Sequence, residues 1–227
     1  MKTIGILGGM GPEATILLMQ KVLDAVPDAR DDADHVPMIV HQNPQVPSRI
    51  KALIEGTGED PAPVLAHMAQ DLEKAGVSAL AMPCNTAHYY APVIEAASNR
   101  PFLNMLELTA DHLAQSGTER IGMLASPATR LTGVFDAPFS DRGLTQLTLP
   151  DDEDLLQVIR AVKGGAPAAD TGPELSRLAQ VLLDQGADHL LVACTELSLL
   201  TNYLPSSAAW TDSLDCLTSA IIAFARS

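Results

Sequence analysis

Leu72-Glu73-Lys74-Ala75-Gly76-Val77-Ser78-Ala79-Leu80-Ala81-Met82-Pro83-Cys84-Asn85-Thr86 and Leu182-Leu183-Asp184-Gln185-Gly186-Ala187-Asp188-His189-Leu190-Leu191-Val192-Ala193-Cys194-Thr195-Glu196 repeat one pattern at an offset of 110 residues. Each reads as the end of an amphipathic helix, a glycine that stops it, a short apolar strand and then a cysteine. A second pair, Ile4-Gly5-Ile6-Leu7-Gly8-Gly9 and Ile121-Gly122-Met123-Leu124-Ala125-Ser126, stands at an offset of 117. Two copies of a strand–helix unit in one chain imply an α/β protein of two lobes with mostly parallel sheets, related by a pseudo-two-fold axis.

Working outward from these stretches, strands are expected at Thr3–Leu7, Val36–His41, Val77–Met82, Arg120–Ala125, His189–Ala193 and, less clearly patterned, Leu144–Leu149. Helices are expected at Pro12–Val26, Asp60–Lys74, Asn85–Ala97, Asp151–Lys163, Glu174–Gln185 and Asp212–Ala225. Pro12 suits a first helical turn, and the acidic run Asp151-Asp152-Glu153-Asp154 suits a helix N-terminus. The strand-like Ala208–Thr211 has no evident slot in a finished second lobe, so the last helix is expected to cross back to the first. The lobes are then residues 1–110 plus 211–227, and residues 111–210.

The chain has 227 residues, enough for a core without staples. Only 4% are aromatic against 47% apolar, so that core is aliphatic. The formal net charge is −14, which argues against a nucleic-acid or anionic-membrane partner. With 14 Lys and Arg in all, a cation beside a motif is informative. Cys84, Cys194 and Cys216 are widely spaced and form neither a disulfide pattern nor a zinc module. The opening Met-Lys-Thr-Ile-Gly-Ile-Leu reads as a strand rather than a signal peptide. No apolar run approaches the roughly 18 residues of a membrane span. A cytoplasmic protein with reduced thiols is expected.

Ligands of open parallel sheets bind at the carboxyl ends of the strands. Cys84 and Cys194 both fall there, one per lobe, and the two-fold makes them face each other across a cleft. A buried cysteine is ordinarily a small core residue. Placement at equivalent ends of a repeated unit, beside Asn85-Thr86 and Thr195-Glu196, points instead to chemistry. Cys216, inside the last helix, is read as packing. Two acid/base groups on opposite faces of one carbon are what stereoinversion requires. One thiolate removes the Cα proton and the other thiol supplies one. Because that proton is a weak acid, the site must also stabilise charge developing on the substrate's carboxylate.

Gly8-Gly9-Met10-Gly11-Pro12, Asn43-Pro44-Gln45-Val46-Pro47-Ser48-Arg49, Met82-Pro83-Cys84-Asn85-Thr86-Ala87-His88 and Ala193-Cys194-Thr195-Glu196-Leu197 resemble the signatures of the aspartate/glutamate racemase family, its aspartate branch most closely. The resemblance runs over most of the chain. The paired cysteine motifs are its specific part. It implies two Rossmann-like lobes, two-base racemisation with no cofactor (neither pyridoxal phosphate nor metal) and a homodimer acting on a small amino acid. It makes Cys84 and Cys194 the bases. It gives Asn85, Thr86 and Thr195 to the substrate's α-carboxylate or amino group, and Arg49 and Lys163 to the two cationic positions. Met10, Gly11 and Glu196 join the substrate-binding positions. Many relatives carry Asp immediately before the arginine. This chain has Ser48 there, which bears on side-chain preference.

Other readings stand beside this one. Arg49 reads equally as a solvated loop arginine, and Lys163 as a helix C-cap. His88, four residues after Cys84, is a thiol neighbour, a substrate ligand or a packed histidine. Glu196 suits a first helical turn or orients Cys194. Gly9-x-Gly11-x-x-Ala14 has the form of a dinucleotide fingerprint. The second strand, however, ends in His41-Gln42-Asn43, without the carboxylate that would hold a ribose. The turn is read instead as bringing backbone close to a small ligand at a helix N-terminus. A zinc site from Cys84, His88 and Cys194 lacks a fourth ligand. By superfamily resemblance, maleate isomerase, hydantoin racemase and arylmalonate decarboxylase chemistry are alternatives, and a non-catalytic small-molecule binder is a third class.

Overall fold

In the computed structural model, which describes residues 1–227, the first half runs β1 (Ile4–Gly8), α1 (Pro12–Asp24), β2 (Met38–Gln42), α2 (Ala62–Lys74), β3 (Ala79–Ala81), α3 (Ala91–Ala97), β4 (Phe102–Leu103) and α4 (Met105–Gln115). The second half runs β5 (Arg120–Ala125), α5 (Pro127–Leu131), α6 (Asp136–Ser140), β6 (Thr145–Leu147), α7 (Glu153–Lys163), α8 (Ala168–Asp184), β7 (His189–Ala193), β8 (Trp210–Asp212) and α9 (Ser213–Arg226). Strands β1 to β4 form one sheet in the order β2-β1-β3-β4, and β5 to β8 a second in the order β6-β5-β7-β8. Every pairing in both is parallel. The α/β class and the duplicated parallel sheets read from the sequence are therefore observed. The chain divides into two compact units, Met1–Leu108 with Leu214–Ser227, and Thr109–Ser213. No helix is long and apolar enough to cross a membrane.

The repeat is visible in its stop signals. Gly76 and Gly186 both take positive φ, +86° and +91°, just past α2 and α8. The amide of Gly76 donates to Glu73 O and that of Val77 to Leu72 O. Gly186 and Ala187 do the same to Leu183 and Leu182. Both helices thus end in a Schellman motif, which satisfies their last carbonyls and turns the chain straight into a buried strand. A glycine inside each central strand lets that helix end pack close. A Cβ on Gly5 would lie 3.0 Å from Val77, and one on Gly122 would lie 3.0 Å from Leu182.

Alternation along β1 sends its side chains to opposite faces of the first sheet. Ile4 and Ile6 join Leu18, Val22, Leu214, Leu217 and Ile221 on one face. Leu7 joins Met68, Leu72, Met82 and Cys84 on the other. In the second unit Leu124, Leu175, Leu178, Leu190 and Val192 form the corresponding core with Cys194.

Three sequence expectations need correction. Ala208–Thr211 does have a slot: β8 lies parallel to β7, pairing Leu190 with Trp210 and Val192 with Asp212. It closes the second sheet as β4 closes the first. The last helix nonetheless returns to the first unit, where Leu214, Leu217 and Ile221 are buried. Asn85–Ala97 is not one α-helix but a 3-10 turn, Thr86–Tyr90, followed by α3. Pro92 has no amide to donate and its ring crowds the preceding turn, so it sits in the first turn of α3 instead of inside one continuous helix. Helix α8 begins at Ala168 rather than Glu174 and runs through Pro173. Gly172 sits flat against the ring of Tyr203, where a Cβ would collide. Tertiary packing holds a turn that local propensity would end.

Candidate active site

Strand order in each unit reverses between the first and third strands, β1 and β3 in one, β5 and β7 in the other. The carboxyl ends of those strands form the crevice where open α/β sheets bind ligands. Gly8–Gly11 and Cys84 leave the ends of β1 and β3. Ser126 and Cys194 leave the ends of β5 and β7.

In the first unit the glycine turn is held by its own helix. The Gly9 amide donates to Thr15 Oγ1 at 2.9 Å, and Thr15 Oγ1 donates to Gly11 O at 3.3 Å. Gly9 has φ +95°, and a Cβ there would run into the backbone of Asn43. Asn43 in turn donates its amide to Gly8 O. The turn therefore brings β1 and the Asn43–Arg49 segment together, and a side chain at residue 9 would push them apart. Its Gly9 amide is already used by Thr15, a residue sequence reading passed over. A hydroxyl one turn into a helix that follows a glycine run is the signal for it. Gly11 takes the N-cap position of α1.

Met10, Val46, Tyr90 and Cys84 belong to one buried cluster. Asn85 is buried and Thr86 half-buried beside the thiol. Arg49 is half-buried. Its Nη1 donates to the carbonyls of Val46 (3.3 Å) and Pro47 (3.0 Å), so it fixes its own loop. No carboxylate pairs with it.

Both ring nitrogens of His88 face backbone groups. Its Nδ1 lies 2.8 Å from Cys84 O, and its Nε2 accepts the Met105 amide at 3.1 Å. An acceptor role at Nε2 places the proton on Nδ1. Burial drives its pKa down to about 4, so the ring is neutral. With both ring nitrogens engaged by backbone, it has no lone pair to offer a zinc ion.

The second unit is built differently. The Cys194 thiol donates to Glu196 Oε2 at 3.0 Å, and Glu196 Oε1 meets Lys163 Nζ at 3.2 Å. Lys163 is the last residue of α7, and Glu196 lies in the turn after β7. The carboxylate is largely shielded while the lysine is half exposed. Burial is the first cause that pushes the Cys194 thiol well above its ordinary pKa, and the charge of Glu196 is the second. Lys163 opposes this. At rest Cys194 is therefore a thiol, with its proton aimed at Glu196. Thr195 is buried next to it.

Exposure repeats residue for residue between 81–90 and 191–200, including the single exposed positions Tyr89 and Leu199. The turns share a backbone plan and differ in the side chains mounted on it. Thr86 corresponds to Glu196 and His88 to Ser198. The family model described as Asp/Glu/Hydantoin racemase matches residues 7–221.

The chain belongs to that family.

Within it, the broad specificity amino-acid racemase RacX of Bacillus subtilis (strain 168) is 27% identical over 234 residues, 96% of each chain. The solved aspartate racemase of Picrophilus torridus is 30% identical with a TM-score of 0.86, covering all of this chain and 95% of that one. The glutamate racemase of Francisella tularensis, solved with D-glutamate, has a TM-score of 0.71 at 14% identity, covering 98% of this chain and 80% of that one. That last likeness is one of fold alone. As a member of the Asp/Glu/Hydantoin racemase family the protein is an isomerase of the racemase class.

Proposed function

We propose that this racemase inverts Cα of a free amino acid, aspartate foremost, with Cys84 and Cys194 as its two bases and without pyridoxal phosphate or metal. The observation that carries the reading is the duplication itself. One buried cysteine stands at the same carboxyl-end position of each repeated unit.

Inversion needs one acid/base group for each face of Cα. In one direction Cys84, as thiolate, takes the Cα proton and becomes a thiol. The C–H electron pair moves into the α-carboxylate. Cys194 then gives its thiol proton to the opposite face and becomes a thiolate. The reverse reaction exchanges the roles. Glu196 suits Cys194 to begin as the acid, because it accepts a hydrogen bond from the thiol at rest. Charge developing on the substrate is met by aimed donors in each turn, Asn85, Thr86 and Thr195, and this stabilisation counts for most in a dry site. Aspartate is favoured because Arg49 offers a guanidinium, which engages a carboxylate in a fork, and Lys163, though paired with Glu196, adds a second positive charge. Since thiols persist only in a reducing compartment, the reading includes a cytoplasmic protein. It also includes a homodimer, in keeping with the exposed apolar stripe Ile16, Met19 and Leu23 along α1.

The test is chiral chromatography of L- and D-amino acids incubated with reduced protein in heavy water. Inversion of aspartate with solvent deuterium at Cα is the expected outcome. Inversion of other amino acids at comparable rates would widen the specificity. Neither inversion nor exchange across the panel would overturn the reading and favour a binding protein or an isomerase that leaves Cα–H intact.

A further inference from the structure

We infer that His88 is a positioning residue for Cys84, a neutral clamp that orients the Cys84–Asn85 peptide through hydrogen bonds at both ring nitrogens and has no counterpart in the second unit. The inference rests on the two-thiol reading where its test uses turnover, and stands apart from it where the test uses thiol reactivity.

The geometry is closed on every side. Nδ1–H donates to Cys84 O at 2.8 Å, and Nε2 takes the Met105 amide at 3.1 Å. The ring packs on Phe102, with centroids 5.3 Å apart, and is 4% exposed. Met105 is the first residue of α4, so the ring spans from the turn after β3 to the start of the helix after β4. A peptide unit is planar, and in its trans form the C=O and N–H point in opposite directions. Drawing Cys84 O toward the imidazole therefore turns the Asn85 N–H away from it. Because the carbonyl is bonded to the Cys84 Cα, the same contact limits where the thiol can swing. A protonated ring would set an N–H against the Met105 N–H, donor against donor. Burial also holds the ring neutral, with its pKa near 4, so the clamp stays closed across the physiological range.

The second unit shows what its absence looks like. Ser198 occupies the equivalent position, and its buried Oγ makes no hydrogen bond. Cys194 O instead takes the Leu197 amide at 2.9 Å, and the thiol is held through its sulfur by Glu196. Loss of His88 should therefore fall on one cysteine only. A general packing defect would fall on both.

The experiment compares His88→Asn, whose amide nitrogen overlies Nδ1 and can keep the bond to Cys84 O, with His88→Gln, which moves the amide to the far side of the ring. Cα-proton exchange in heavy water is followed separately for each enantiomer. The enantiomer read by Cys84 is the one still exchanged in a Cys194→Ala background. In His88→Gln, exchange of that enantiomer should fall about tenfold or more, while exchange of the other changes less than about threefold. His88→Asn should recover most of the loss. In parallel, iodoacetamide labelling read by mass spectrometry should show Cys84 changed by about threefold in His88→Gln and Cys194 unchanged. That labelling needs no turnover, so it separates failure of this inference from failure of the racemase reading. Parallel loss at both cysteines, or no loss at either, would overturn the proposal. In the parent protein, imidazole ¹⁵N spectra should show a protonated Nδ1 and an unprotonated Nε2. The opposite tautomer would overturn the clamp even if no variant folds.

Discussion

The turn after β3 and the turn after β7 carry the same exposure pattern and each deliver a cysteine, yet they hold it by different means. Cys84 is tied through its backbone carbonyl, by His88. Cys194 is tied through its sulfur, by Glu196, with Lys163 behind. The first kind of tie acts on where a thiol sits, through the backbone. The second sets the proton, because a carboxylate beside a thiol disfavours the thiolate. On the two-thiol proposal, the duplicated fold has diverged where a reversible two-base reaction would need its members to differ at rest.

The strongest way to break this comparison is to remove either thiol. Cys84→Ser and Cys194→Ser should each lower net racemisation by roughly a thousandfold or more, since a serine is a far weaker acid at neutral pH. Each should still exchange the Cα proton of one enantiomer in heavy water, and the two variants should differ in which. Racemisation at the parent rate in both would end the two-thiol mechanism.

Next in size is the response of stability to pH. The folded pKa of His88, near 4, lies below its ordinary 6.5. Between these values the unfolded chain binds the extra proton, so stability rises with pH. It is complete above about pH 6.5 and lost as pH falls toward 4, by about 3 kcal/mol for a group this buried. Urea denaturation at a series of pH values measures it, and His88→Asn should flatten the slope in that window. An unchanged slope would assign the acid sensitivity to other groups.

A smaller effect is expected from Glu196→Gln. Removing the negative charge lets the Cys194 thiol ionise more readily, and Lys163 is left to favour the thiolate. The pH profile of Cys194 alkylation should move to lower pH while that of Cys84 stays in place. Racemisation should drop by roughly tenfold because the resting acid is no longer held. A shift of both profiles would mean that the two turns are not independent.

Ser198→Ala should do least. The hydroxyl is buried without a hydrogen bond, so its removal should change stability by no more than about 1 kcal/mol, in either direction. Turnover should be unaffected. A large loss would show that this position does more than fill space and would blur its contrast with His88.

What the sequence determined by itself is the part written in short-range terms. Gly76 and Gly186 end helices because φ near +90° suits only glycine, and the apolar runs behind them make buried parallel strands. Those two signals in two registers were enough for the α/β class, the duplication and the placement of Cys84 and Cys194 at strand ends. Arg49 and Lys163 were legible as scarce cations. The partner of Lys163 was not, because packing can draw a polar side chain's partner from a distant part of the chain. The carboxylate of Glu196 is shared with Lys163 from another helix. His88 reaches the amide of Met105, and β8 finds the open edge of β7. Tertiary structure alone decided that Glu196 faces a thiol, and that His88 faces two backbone groups rather than a thiol, a substrate or a metal. Desolvation is the physical reason. Once those groups are buried, each must be given a partner within about 3 Å, and only the folded chain brings one there.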